Sequence, residues 1–88
     1  VSNKKNAINI LINPNPTTGV FNIKAQNITS EISLDVTDIL GKTMYAETFQ
    51  TSQKAFQHYI NLSEAQAGIY IVNVRSGNEL QALRLVKY

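Results

Sequence analysis

Hydrophobic and polar residues alternate along most of the chain with a period of two. The alternation is clearest where Ile32, Leu34 and Val36 are separated by single polar residues, which is typical of a strand with one buried face. Residues 69–74 are apolar on both faces, which indicates a central strand. The whole pattern predicts seven strands, near residues 8–13, 20–24, 32–37, 42–50, 56–62, 69–74 and 80–86.

Turn-forming residues separate these runs at positions 14–16, 38–41, 51–53, 67–68 and 76–78. The run over residues 42–50 is weaker, with Tyr45 and Phe49 sharing a face. A helix competes only over residues 63–67, which are too few for more than one turn. Short strands at this spacing predict an all-β fold, an immunoglobulin-like antiparallel β-sandwich of about seven strands. We expect the domain to span residues 8–88 and residues 1–7 to be the remnant of a linker.

Composition narrows the possible functions. A chain of 88 residues forms one domain, and a large ligand pocket would compete with its core packing. The net charge of +2 comes from scattered basic residues, with only Lys4 and Lys5 adjacent, which argues against nucleic-acid binding. Cysteine is absent, which excludes disulfides and thiolate metal sites. The sequence lacks an initiator Met, a signal peptide and a membrane-length apolar run, so we expect it to be cut from a longer protein.

The chemically reactive residues do not form a catalytic set. His58 is the only histidine, and it lies in phase with the apolar residues of its strand, which favours a packed or semi-exposed position. Asp35 and Asp38 could hold a cation, but further oxygen ligands at loop spacing are missing. We therefore expect a chain that is not an enzyme, with no catalytic residues, no cofactor, no metal site and no small-molecule substrate.

Proline and glycine define the first notable turn. Pro14 and Pro16 cannot donate to a sheet ladder, so the segment around them leaves the sheet or follows its edge. Gly19 is free to take a positive φ before the next strand begins. The segment is expected to form a stiff corner.

Two further turns have a physical explanation. Asp38 is suited to accept backbone N–H groups at the first position of a tight hairpin turn, and Gly41 to take the left-handed conformation of a bulge. Tyr70 lies where a sandwich of this type bends a tyrosine hydroxyl back to the chain a few residues upstream. Gly68 would allow the sharp approach of the chain before that tyrosine.

Together these segments resemble the type A C-terminal sorting domain of the type IX (Por) secretion system. The resemblance covers about residues 10–87, and it rests on four motifs in order. The motif residues are Pro14, Asn15, Pro16 and Gly19, then Asp38, Gly41 and Lys42, then Leu62, Gly68 and Tyr70, and finally Arg84, Leu85, Val86 and Lys87. Tyr88, an aromatic residue after the familiar lysine, departs from the family pattern.

The resemblance implies a function in protein secretion. Such domains are fused to the C-terminus of a cargo protein, which crosses the periplasm and then passes through the outer-membrane translocon to the cell surface or the medium. A surface sortase usually removes the domain, which here would place the cut in or just before residues 1–7. Residues 84–88 are the expected translocon contact, and the final strand is expected to offer an edge for strand addition. Exposed edge strands would also permit a weak homodimer.

One alternative has the same fold. An immunoglobulin- or fibronectin-like spacer, or an adhesion or carbohydrate-binding module of a secreted enzyme, would form the same sandwich. Carbohydrate binding would require an exposed aromatic platform, for which Tyr45, Phe49, Tyr59 and Tyr88 are the candidates. This alternative does not explain why the four motifs occur together.

Overall fold

A computed structural model describes residues 8–28, 31–51 and 53–88 of the chain. They form seven strands: β1 (Asn9–Asn13), β2 (Val20–Gln26), β3 (Glu31–Asp38), β4 (Thr43–Gln50), β5 (Ala55–Asn61), β6 (Gly68–Ser76) and β7 (Glu79–Lys87). The predicted linker, residues 1–7, lies outside the described residues. The all-β prediction is confirmed, with every predicted run falling on one strand.

The strands form two antiparallel sheets that enclose a common core. One sheet has the strand order β1-β2-β5, and the other has the order β4-β3-β6-β7. In a constant-type immunoglobulin domain the fourth strand joins the sheet of the first, second and fifth. Here β4 stays beside β3, because the two strands are joined by a tight hairpin in which Asp38 N donates to Lys42 O at 3.0 Å.

The core is built from the alternating residues that face between the sheets. Ile32, Leu34 and Val36 of β3 are at most 1% exposed, as expected from a strand with one apolar face. Their partners from the other strands include Phe21, Ile23, Ile60, Val72, Val74 and Leu85, each at most 1% exposed. The predicted central strand is β6, which pairs with β3 on one side and with β7 on the other.

Asn22 differs from the sequence-based expectation. It alternates with Phe21 and Ile23 as predicted, but its side chain is only 7% exposed, with Asn13 and Tyr59 as its in-register neighbours. Gly68 has a positive φ of 153°, which fits the expected sharp approach of the chain before Tyr70. A Cβ added to Gly68 would meet nothing within 4 Å, so backbone conformation rather than lack of space favours glycine there.

Candidate functional site

The four motifs lie at one end of the sandwich. Asp38 is in register with Tyr70, which is in turn in register with Leu85. Thr17 forms a parallel bridge with Lys87 beside this row. We call this end of the molecule the motif pole, and define it as residues 14–19, 38–42, 62–70 and 84–88. Segments separated by up to about 70 positions in sequence therefore form one continuous structure.

The proline-rich loop binds the free edge of β7 through a side chain. Asn15 Nδ2 donates to the carbonyl oxygen of Arg84 at 2.8 Å, and Asn15 Oδ1 accepts from the backbone N–H of Val86 at 3.1 Å. A carboxamide has the same donor and acceptor groups as a peptide unit. The Asn15 side chain thus pairs with β7 as a neighbouring strand would.

Thr17 continues this pairing with its backbone. Its N–H donates to Val86 O at 2.8 Å, and its carbonyl accepts from Tyr88 N at 3.0 Å. Its side chain is 1% exposed, with Oγ1 donating to Val20 O and accepting from Gly19 N. Sequence reasoning missed this residue, because nothing local distinguishes a buried threonine from an exposed one in a loop.

Gly19 joins the loop to the opposite side of the pole. Its φ of 153° confirms the predicted positive value, and its carbonyl accepts from Leu62 N at 2.8 Å. A Cβ added to Gly19 would lie 2.7 Å from Ser63 Cα, closer than real Cβ atoms approach. The position therefore excludes any side chain both by conformation and by space.

The Asp38 turn is confirmed in detail. Asp38 Oδ1 accepts from Leu40 N at 2.9 Å and from Lys42 N at 2.8 Å, and Gly41 N donates to Asp38 O at 3.1 Å. Gly41 has a φ of 91°. Asp38 thus holds the turn through Oδ1 of its carboxylate. Asp35 likewise accepts from Asn73 Nδ2 at 2.7 Å.

The tyrosine corner is also confirmed. Tyr70 Oη donates to the carbonyl oxygen of Gln66 at 2.5 Å, four residues upstream. The Tyr70 side chain is 5% exposed, and Leu62 beside it is a core residue. Tyr70 and Leu62 are therefore core residues that support the motif pole.

The final motif alternates between buried and accessible residues. Leu85 is 0% exposed and Lys87 is 8% exposed, so their side chains are not available to a partner while the domain is folded. Arg84 and Tyr88 are exposed, and Val86 is half-buried. Of the predicted contact residues 84–88, only Arg84, Val86 and Tyr88 have side chains that a partner could reach.

The free edge of β7 is also shorter than predicted. β7 is an edge strand, and alternate residues of such a strand direct their backbone groups to the same side. Arg84, Val86 and Tyr88 are already bonded on that side by the loop. Leu80 and Ala82 have no hydrogen bond there within the described part of the chain.

His58 lies in an aromatic cluster away from the motif pole. Its ring centroid is 4.7 Å from that of Phe49, and Nε2 is 3.1 Å from Tyr45 Oη. Tyr45 Oη donates to Glu47 Oε1 at 2.8 Å. Burial, followed by the hydrogen bond and negative charge of Glu47, raises the pKa of Tyr45 to about 12. The predicted common face of Tyr45 and Phe49 is confirmed by their shared contact with His58.

The described grooves outside the pole are lined by a mixture of polar, charged and apolar side chains. A groove of about 410 Å³ on the three-stranded sheet is lined by Lys24, Ala25, Gln26, Gln53, Ala55, Phe56 and Gln57. Among the described residues, no group of three or more His, Cys, Asp or Glu side chains is placed to hold a metal ion. The described segments also contain no helix long and apolar enough to cross a membrane.

Comparisons with known proteins agree with this geometry. The chain is similar in structure to PorZ, an essential bacterial surface component of the type IX secretion system of the human oral bacterium Porphyromonas gingivalis. The TM-score is 0.58 at 15% sequence identity, and the match covers 90% of this chain and 11% of that one. At this identity the likeness concerns the fold. No curated protein matches the chain.

The sequence itself matches a family profile over residues 11–88, described as a secretion system C-terminal sorting domain. The match includes all four motifs and all seven strands except the first two residues of β1. This chain therefore belongs to the family of type IX secretion system C-terminal sorting domains.

Proposed function

We propose that this domain directs a fused N-terminal cargo protein from the periplasm through the outer-membrane type IX translocon, and that the translocon recognises the motif pole. The cargo then reaches the cell surface or the medium. A surface sortase removes the domain by cutting in or just before residues 1–7. The domain itself is not a catalyst.

One observation carries this proposal: the pairing of Asn15 with Arg84 and Val86 across the edge of β7. The first and last motifs of the family are thereby parts of one surface. A recognition surface composed of both would explain why they occur together in one chain.

The position of the loop restricts how a partner can add a strand to β7. A partner strand can pair beside Leu80 and Ala82, where the edge is free. To extend along residues 84–88 it must first displace Asn15 and Thr17, which occupy the same hydrogen-bonding groups. Binding of the translocon should therefore slow hydrogen exchange at Leu80 and Ala82 first. Unchanged exchange across residues 80–88 would contradict strand addition.

The absence of a catalytic role is supported by the environment of the only histidine. Both the ring of His58 and its Nε2 are engaged, by Phe49 and by the Tyr45 hydroxyl respectively. That hydroxyl is itself bonded to Glu47 and retains its proton to high pH. Tyr45 and Phe49 of β4 contact His58 of β5 and so link the two sheets, which is a structural role.

The proposal is tested by deleting residues 68–88 from the parent protein in the bacterium that makes it. This deletion removes β6 and β7, and with them residues 68–70 and 84–88 of the motif pole. We expect folded, protease-resistant cargo to accumulate in the periplasm. Delivery of the shortened protein to the surface or medium at the normal level would instead assign the domain to a spacer or adhesion role.

A further inference from the structure

The tip of the β3–β4 hairpin exposes two large apolar residues side by side. Ile39 is 72% exposed and Leu40 is 88% exposed, the highest values among the exposed large apolar residues of the described chain. Turn positions of this kind are normally occupied by polar residues or glycine. A single exposed apolar side chain is ordinary, but an adjacent pair at the most exposed point of a hairpin is not.

The turn that carries these two side chains is held by hydrogen bonds. Asp38 accepts hydrogen bonds from Leu40 N and Lys42 N, and two backbone bonds between residues 38 and 42 close the turn. The backbone that carries the pair is therefore set before any partner arrives. Preorganisation of this kind reduces the conformational entropy lost on binding.

The tip is continuous with other accessible apolar residues of the motif pole. Asp38 is in register with Tyr70, which places the turn beside the start of β6. There Ile69 is 42% exposed and is in register with Val86. Tyr88, at the end of the chain, is 68% exposed.

We propose that Ile39 and Leu40 form an anchor that inserts into an apolar pocket of a protein of the secretion apparatus. This inference rests on the proposed function and adds a second contact to the edge of β7. Two branched side chains on a preorganised turn suit a shaped protein pocket, where a few buried anchors supply most of the binding energy. A fluid bilayer would gain nothing from the preorganised turn.

The choice of partner follows from the family and from the place of the tip in the molecule. The chain matches a secretion system C-terminal sorting domain over residues 11–88, and the tip belongs to the motif pole, which we propose the translocon recognises. The described grooves of a second copy mix polar and apolar side chains, as in the one of about 240 Å³ lined by Met44, Asn61, Leu62, Glu64 and Ala65. A dimer of the purified protein in sedimentation that is lost in the variant described below would assign the tip to a second copy and overturn the proposal.

The test is the double substitution Ile39→Ser with Leu40→Ser in the full-length parent protein. The matched control is the double substitution Leu11→Ser with Tyr59→Ser, because these residues are 54% and 63% exposed but lie on the other sheet, away from the tip and from β7. We expect the Ile39 and Leu40 double variant to lower delivered cargo by about tenfold, with cargo accumulating in the periplasm. The control should deliver a normal amount. The conservative exchange Ile39→Leu with Leu40→Ile should restore delivery.

The outcomes separate this inference from the function on which it rests. Normal delivery of the double variant, while deletion of residues 68–88 traps the cargo, would overturn the anchor and leave the sorting function intact. Normal delivery of the double variant and of the deletion variant would overturn the anchor and the sorting function together. Flotation of the full-length protein with vesicles of phosphatidylethanolamine and phosphatidylglycerol, lost in the double variant, would assign the tip to lipid and also overturn the proposal. Should the double variant lose protease resistance, Leu40→Lys alone serves in its place with the same expectations.

Discussion

The side-chain carboxamide of Asn15 forms two hydrogen bonds with β7, to Arg84 O at 2.8 Å and from Val86 N at 3.1 Å. It thereby covers part of an edge strand that would otherwise be open. Exposed strand edges invite unwanted pairing, and proteins commonly cover them. The loop therefore protects the end of β7.

Replacement of Asn15 by Ala should expose the Val86 amide. A hydrogen bond of this kind contributes about 1 kcal/mol, so exchange of the Val86 N–H should become about fivefold faster. The Leu85 amide faces β6 and is the internal control, since its exchange should not change. Equal exchange of Val86 in the two proteins would show that the side chain does not protect the edge.

The tyrosine corner should contribute measurably to stability. Tyr70→Phe removes the hydrogen bond to Gln66 O and should lower the free energy of unfolding by about 1 kcal/mol. This corresponds to a fall of about 4–8 °C in melting temperature for a domain of this size. Tyr59→Phe is the matched control, because Tyr59 is 63% exposed. If both variants melt at the wild-type temperature, the corner has no stabilising role.

Gly19 and Gly68 provide a comparison in which only space differs. Both have a φ of 153°, but a Cβ would meet Ser63 at Gly19 and nothing within 4 Å at Gly68. Both Gly→Ala variants should be destabilised by backbone strain. Gly19→Ala should lose about 1–3 kcal/mol more, because Ser63 must shift to accommodate the methyl group. Equal losses in denaturant unfolding would mean that the close contact is relieved without cost.

The sequence predicted the sandwich and the local turns correctly for a common physical reason. Alternation at Ile32, Leu34 and Val36 reflects one buried face, and the Asp38 turn is determined by residues that are neighbours in the chain. The contact of Asn15 with Val86 joins positions 71 residues apart. The hydrophobic pattern carries no information about such a distant contact. Only the folded chain shows that the first and last motifs lie side by side.

Burial of two polar residues was unpredictable for a related reason. Thr17 is enclosed because a distant strand and the following residues surround it. Asn22 is 7% exposed beside Asn13 and Tyr59, whereas Val20 on the same face of β2 is 49% exposed. In both cases neighbours from other strands surround the side chain, and their positions are a property of the whole fold.

The environment of Tyr45 should make stability depend on alkaline pH. Its pKa is raised from 10.0 to about 12, first by burial and then by Glu47. Because the folded value is above the unfolded one, the stabilisation is fully present below pH 10 and is lost as the pH rises towards 12. The difference in unfolding free energy between wild type and Tyr45→Phe should therefore shrink over this range. A constant difference, measured by denaturant unfolding at each pH, would contradict the shift.

The central claim is that this domain is sufficient to direct a protein through the type IX apparatus. The most direct test fuses residues 1–88 to the C-terminus of a reporter that is normally exported only to the periplasm, in the bacterium that makes the parent protein. Fractionation then locates the reporter. The account predicts that the reporter appears at the cell surface or in the medium. A folded fusion that stays in the periplasm, while the native cargo is delivered normally, would contradict it.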